Sequence, residues 1–335
     1  MKIVAMIFLF FSFVVFSFFI GYWVKGNSLS NEFSLKKPET KIERPYEIYY
    51  LDHISDKVSA GDFHVKEILS EKDKYSSSLF EFKFKPNPDK PETKITTGVI
   101  NTPIGIKSAP IIFLIRGYVD QELYTSGMGT KRVAEYFAEN GFITVAPDFL
   151  GYGGSDSESE NIFETRFQTY LTMIALQKSI SQIPGWDGKN VFIWAHSNGG
   201  QIALSWIVSQ NLNYPTVLWA PVTKPFPYSI LYYTDESEDG GKLIRTELAK
   251  LENLYDLNKF SYTSLFDRIK NPIQLHQGTA DDAVPLAWSN SFVNKLKKQN
   301  DSVDYFIYSG SDHNLSNNWD MAIDRSVKFY NKYKE

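Results

Sequence analysis

Ser197, two neighbouring aspartates and His313 occur in an order and at spacings that suit nucleophilic acyl transfer. Ala195-His196-Ser197-Asn198-Gly199-Gly200 stands between an apolar run, Val191 to Ala195, and a helical stretch, Asn198 to Ser209. A serine between a strand and a helix has the pattern of a nucleophile elbow. The turn is sharp, so residues 195 and 199 must be small, and Gly200 is expected to let the helix pack closely on the sheet. At the helix N-terminus, free N–H groups and the helix dipole favour an oxyanion that develops during attack. Gln277-Gly278-Thr279-Ala280-Asp281-Asp282 follows an apolar run ending at His276, and Ser309-Gly310-Ser311-Asp312-His313 follows one ending at Tyr308. In such a constellation the imidazole takes the serine proton, while a carboxylate fixes the imidazole tautomer. Successive residues of an extended loop point in roughly opposite directions, so only one of Asp281 and Asp282 can face His313.

The other histidines fit this chemistry less well. His53 and His64 precede the core segments and read as surface or meander residues. His196 should support the elbow turn, and His276 should be a packed, hydrogen-bonded residue at a strand end. None pairs with a carboxylate or another histidine at a metal-ligand spacing, so neither a catalytic metal nor a cofactor is expected. Gly151-Tyr152-Gly153-Gly154-Ser155 lacks the Lys-Ser/Thr of a phosphate loop. It reads as the glycine-rich loop after a core strand, held by Asp148.

The three reactive side chains need a frame that brings strand ends to one edge. Period-two segments at Phe63 to Leu69, Leu79 to Phe84 and Ile95 to Ile100 read as an antiparallel meander. From residue 110, strands alternate with helices. Ile111–Ile115, Phe142–Ala146, Val191–Ala195, Thr216–Trp219, Ile273–His276 and Asp304–Tyr308 are the strands; Lys131–Glu139, Arg166–Ile180, Asn198–Ser209, Trp288–Lys298 and Asn318–Lys332 are the helices. The expected fold is α/β, a doubly wound and mostly parallel sheet. The rhythm breaks over residues 221–270, an aromatic-rich interval that reads as a small helical cap over the strand ends. Most cap aromatics should be core, with some lining the site.

Composition narrows the field. Charged residues make up 22% of the chain and the net charge is −4, with no dense Lys/Arg stretch, so a nucleic-acid partner is not expected. Cysteine is absent, which removes disulfides, thiolate metal sites and cysteine nucleophiles. No charged residue occurs from Ile3 to Val24. A helix of that length would be about 33 Å long, enough to cross a bilayer. Residues 1–25 are therefore expected to be a membrane anchor or a signal segment, giving a membrane-anchored or secreted protein. Residues 26–45 read as a polar tether, and 46–335 as the catalytic domain including the cap.

The chain resembles the prolyl-oligopeptidase-like branch of the α/β hydrolases from about Glu67 to the C-terminus. The resemblance rests on Arg116-Gly117-Tyr118, Pro147-Asp148 with the glycine-rich loop, His196-Ser197-Asn198-Gly199-Gly200, Gly278-Thr279-Ala280-Asp281 with Val284-Pro285, and Asp312-His313-Asn314. It implies the α/β-hydrolase fold and a catalytic triad of Ser197, Asp281 and His313, the pattern Gly-x-x-Asp-x-x-Val selecting Asp281 over Asp282. The oxyanion would lie between the backbone N–H groups of Tyr118 and Asn198. The family usually has His-Gly where this chain has Arg116-Gly117. Its larger peptidases also carry a β-propeller that residues 26–108 are too few to form, so any filtering of access falls to the cap. The implied activity is serine hydrolysis, through an acyl-enzyme, of an amide or ester bond in a small molecule or short peptide, with a peptidase-like hydrolase as the leading reading. A carboxylesterase is the alternative, and a non-catalytic binding protein on the same fold is a second.

Overall fold

The continuous apolar run Ile111–Ile115 forms the centre of the sheet because both of its faces are covered. Ile111, Phe113 and Ile115 join one hydrophobic cluster, and Ile112 and Leu114 join another; all five are fully buried. Alternation along the strand sends the two sets to opposite faces. A computed structural model describes residues 43–335 except Glu236. Its strands are β1 (Asp62–Glu71), β2 (Tyr75–Phe84), β3 (Lys94–Pro103), β4 (Ala109–Ile115), β5 (Ile143–Pro147), β6 (Trp186–His196), β7 (Thr216–Trp219), β8 (Ile273–Gly278) and β9 (Val303–Tyr308). They form one sheet in the order β1-β2-β3-β5-β4-β6-β7-β8-β9. Strands β1, β2 and β3 pair antiparallel, as does β3 with β5, and every pairing from β5 to β9 is parallel. This is the expected α/β-hydrolase architecture with its N-terminal meander.

The helices are α1 (Lys131–Glu139), α2 (Ile162–Lys178), α3 (Asn198–Gln210), α4 (Tyr228–Thr234), α5 (Lys242–Leu254), α6 (Leu286–Leu296) and α7 (Trp319–Tyr333). Val133 and Phe137 of α1 join Phe329 and Tyr330 of α7 in the cluster that covers Ile112 and Leu114. Phe167 and Leu171 of α2, Trp206 of α3 and Phe292 of α6 lie in the other. Covering both faces in this way is what double winding means physically.

Several boundaries differ from expectation, with β2 beginning at Tyr75 rather than Leu79 and β6 at Trp186 rather than Val191. Helix α2 begins at Ile162, a full turn before Arg166, because the Asn161 side chain accepts from the amides of Phe163 and Glu164 at 3.0 Å each. Helix α6 begins at Leu286, directly after Pro285, and ends at Leu296.

The interval 221–270 contains α4, α5 and two 3-10 helices, Leu257–Phe260 and Tyr262–Arg268. Phe260 stacks on Phe167 of α2 with ring centroids 4.4 Å apart, and Phe226 meets Phe163 edge-on at 5.9 Å. Phe226, Tyr255, Phe260 and Tyr262 are buried, while Tyr228, Tyr232 and Tyr233 face outward. No helix among the described residues is long and apolar enough to cross a membrane. The apolar run Ile3–Val24 and all but the last three tether residues lie outside the described residues.

Candidate active site

Strand register decides which loops meet. His196 of β6 lies opposite Trp219 of β7, Trp219 opposite His276 of β8, and His276 opposite Phe306 of β9. The carboxyl ends of β6, β8 and β9 therefore share one edge, and the loops bearing Ser197, Asp281 and His313 leave from it.

Ser197 has φ 55° and ψ −125°, outside the regions an L-residue normally occupies. Its neighbours enforce this conformation. The Ser197 amide donates to the Trp219 carbonyl at 3.0 Å, and its carbonyl accepts from Gly200 at 2.9 Å and Val222 at 2.8 Å. A Cβ on residue 199 would lie 2.2 Å from the Ile115 carbonyl oxygen, so only glycine allows α3 to start against the end of β4. A Cβ on residue 200 would instead strike Pro221 at 2.5 Å. The close helix–sheet contact expected of Gly200 thus belongs to Gly199, and Gly200 accommodates the loop after β7.

The acid and histidine loops are stitched together by backbone. Thr279 donates to the Tyr308 carbonyl and Ala280 to the Ser311 carbonyl, both at 2.9 Å. His313 Nδ1 lies 3.0 Å from both carboxylate oxygens of Asp281. The Asp281 side chain is fully buried, and that of His313 is 17% exposed. The amides of Ala283 and Val284 donate to Asp281 Oδ1 at 3.0 and 2.8 Å, and Gln277 Nε2 donates to Oδ2 at 2.7 Å. Burial alone would raise the Asp281 carboxyl, but the bonds from His313, Val284 and Gln277 hold it below the ordinary carboxylate range. An ionised Asp281 makes His313 Nδ1 the N–H donor, which leaves Nε2 as a lone-pair acceptor. Asp282 is exposed and takes no part in this network.

His196 does more than support the turn. Its ring lies 4.6 Å from the His313 ring, centroid to centroid, and its Nε2 donates to the His313 backbone carbonyl at 3.1 Å. Burial, then the His313 ring beside it, pushes the His196 imidazole down to about 4, so it stays neutral while bracing the histidine loop. His276 is fully buried between Tyr308 OH at 2.7 Å and Gln274 Oε1 at 2.9 Å. His53 contacts the Glu47 carbonyl and Asp52, and His64 is an exposed residue of β1. Among the described residues, no group of three or more His, Cys, Asp or Glu side chains is arranged to hold a metal.

The segment Arg116–Tyr118 crosses in front of the elbow. A Cβ on residue 117 would lie 2.8 Å from Ser197 Cβ, so glycine is required for this approach. Tyr118 follows and is 76% exposed. Asn198 is the first residue of α3, where a helix leaves its N–H groups without intrahelical partners.

Arg116 supports this segment in place of the family's histidine. Its guanidinium lies over the rings of Tyr152 at 3.9 Å and Tyr124 at 4.6 Å, and it donates to the carbonyls of Gly117 at 2.9 Å and Asp148 at 2.8 Å. The buried Asp148 carboxylate accepts from Tyr124, Ser126 and Thr97 side chains and from the Gly127 amide. It therefore anchors the loop 124–127 and the first half of β3. The glycine-rich loop is tied instead through Ser155 and Gly154 to Thr97. Arg116→Ala should lower kcat/KM about tenfold or more and cost about 2 kcal/mol of stability by leaving two buried carbonyls without donors. Steady-state kinetics with a urea melt check both effects.

Gln277 was not visible as a site residue in the sequence. It is buried, donates to Asp281, and accepts from Ser289 Oγ of α6 at 2.7 Å. Its position directly before Gly278 in the acid motif was the only signal. Gln277→Leu keeps the volume but removes one donor to Asp281 and strands the Ser289 hydroxyl. The expected loss is about 1–3 kcal/mol of stability with roughly a tenfold fall in kcat and little change in KM.

Comparisons with known proteins follow this geometry. A family model described as the prolyl oligopeptidase family matches residues 129–334. Acetyl esterase Axe7A of Xylanibacter ruminicola is 24% identical over 176 residues, 50% of this chain but only 37% of that relative's length. Acetyl xylan esterase 1 from a Thermoanaerobacterium species superposes with a TM-score of 0.62 at 17% identity, covering 85% of this chain and 94% of the other. An acetyl xylan esterase from a Paenibacillus species gives 0.63 at 17% identity, covering 87% and 96%. At such identities the likeness is one of fold. The family match spans well over half of the chain, so the protein belongs to the prolyl oligopeptidase family, and its sheet is that of an α/β hydrolase.

Proposed function

We propose that the protein hydrolyses carboxylic esters with short acyl groups through an acyl-enzyme on Ser197. The observation that carries this reading is the buried Asp281 carboxylate bound to His313 Nδ1, on the same sheet edge as a serine whose backbone is held in a strained turn. His313 Nε2 takes the proton of Ser197 Oγ as the oxygen bonds to the ester carbonyl carbon. The negative charge on the former carbonyl oxygen is stabilised by the backbone N–H groups of Asn198 and Tyr118. Collapse breaks the bond to the leaving oxygen, which receives the proton from His313. Water then gives a proton to His313 and attacks the acyl-enzyme, releasing the acid and restoring Ser197.

Amide cleavage uses the same residues, so the choice of substrate rests on the relatives. The family description supports the peptidase reading, while the curated relative and the two solved neighbours are named for acetyl esters. The ester reading has the more specific support. Fluorophosphonate labelling should modify Ser197. On p-nitrophenyl acetate, kcat/KM should exceed that on aminoacyl p-nitroanilides by about a hundredfold or more. Preference for the anilides would overturn the ester reading and leave the peptidase one.

A further inference from the structure

One arginine of the described chain lacks the partners that the others have. Arg44, Arg132 and Arg245 pair with carboxylates. Arg116 lies between aromatic rings, Arg325 lies over Phe306, and Arg268 donates to the Val208 carbonyl at 3.1 Å. Arg166 of α2 is half-buried, and among the described residues it has no carboxylate or aromatic ring against it. Its Nε is buried without a hydrogen-bond partner, as is that of Arg116, whose guanidinium is nevertheless sandwiched by rings. The one hydrogen bond of the Arg166 guanidinium runs from Nη2 to Asn198 Oδ1 at 3.4 Å, at the long limit of such contacts.

A guanidinium has five N–H donors in a planar fork. Withdrawing it partly from water while using one donor weakly is unfavourable, unless something else satisfies the fork. Its placement shows what that partner touches. Asn198 follows Ser197 directly in the chain, so the cation lies against the residue next to the proposed nucleophile. The nearest acid on the same helix is occupied elsewhere: Glu164 accepts from Tyr49 at 2.8 Å and Ser159 at 2.7 Å.

We infer that Arg166 is a specificity-determining residue, whose guanidinium binds a carboxylate carried by the substrate a few bonds from the scissile ester. This rests on the ester-hydrolase reading of the Ser197 site. A carboxylate matches the fork with two parallel N–H···O bonds, a geometry that lysine cannot reproduce. The carboxylate belongs to the acyl chain or to the leaving alcohol, and matched substrates separate the two.

The acyl arm compares monoethyl glutarate with ethyl pentanoate, and the leaving-group arm compares 4-acetoxybutanoate with butyl acetate, all followed by pH-stat titration of the full-length protein. The wild-type enzyme should favour the anionic member at least tenfold in kcat/KM in one arm, and that preference should shrink as salt rises. Arg166→Met should bring the ratio to about one, and Arg166→Lys should retain part of it. The lysine variant also serves if the methionine variant does not fold. A wild-type ratio near one in both arms overturns the proposal. So does a preference indifferent to salt, or an equal loss on both members of each pair in the variants, which would make Arg166 only a support for Asn198. Hydrolysis of the neutral esters alone condemns this inference and spares the ester reading. Failure to cleave any of the four esters, without labelling of Ser197, condemns both.

Discussion

Ser197→Ala is expected to lower kcat/KM on an ester by about 10⁴ or more and to abolish fluorophosphonate labelling. The folded state should hardly change. The unusual backbone at 197 is held by the Trp219 carbonyl and the amides of Gly200 and Val222, none of which involves the side chain. Alanine has the same Cβ and therefore meets the same steric demands at φ 55°. The difference in stability should stay within about 1 kcal/mol. Mass spectrometry of probe-treated wild-type and variant protein, with thermal melts of both, decides the matter. Undiminished labelling of a folded variant would place the nucleophile elsewhere.

Asp281→Asn should be nearly as damaging, with kcat/KM falling by about 10³–10⁴. Four donors converge on the two oxygens of Asp281: His313 Nδ1, Gln277 Nε2 and the amides of Ala283 and Val284. An asparagine offers one oxygen and turns an N–H₂ group towards at least one of these donors. His313 would relieve the conflict by accepting at Nδ1 and carrying its proton on Nε2, the tautomer that cannot take a proton from serine. Asp282→Asn, on the exposed side of the same loop, should change kcat/KM less than about threefold. Kinetics of both variants on one ester compare them directly, and a larger loss at 282 in a folded protein would reassign the acid.

The same carboxylate predicts a pH dependence of stability. Asp281 is held below its ordinary value, so its ionised form stabilises the fold above the unfolded-state value of about 4. That contribution disappears as the pH falls through the folded-state value. The stability gap between wild type and Asp281→Asn should therefore be widest near neutrality and should narrow below pH about 4. Urea melts from pH 3 to 8 measure it, and a gap that grows on acidification would contradict the sign.

What the sequence by itself determined was local. Buried strands announce themselves as short apolar runs, and a strand–turn–helix junction confines small residues and serine to neighbouring positions, so Ser197 and the loops of Asp281 and His313 could be named without coordinates. Alternation along the acid loop let only one of Asp281 and Asp282 face His313, and the resemblance to the family pattern selected Asp281. The start of α2 was also local, since Asn161 caps it and Phe163 in its first turn is buried. Tertiary structure decided whatever depends on partners remote in the chain. Arg116 is caged by Tyr124 and Tyr152 and tied to Asp148, 32 residues on. His196 braces His313 across 117 residues, and Arg166 reaches Asn198 across 32. Among the cap aromatics, Phe226 and Phe260 are buried against α2 and Tyr262 against Phe292 of α6, while Tyr228, Tyr232 and Tyr233 face outward. Spacing cannot encode such contacts, because they arise from sheet order and register, which bring together segments whose own sequences show no sign of each other.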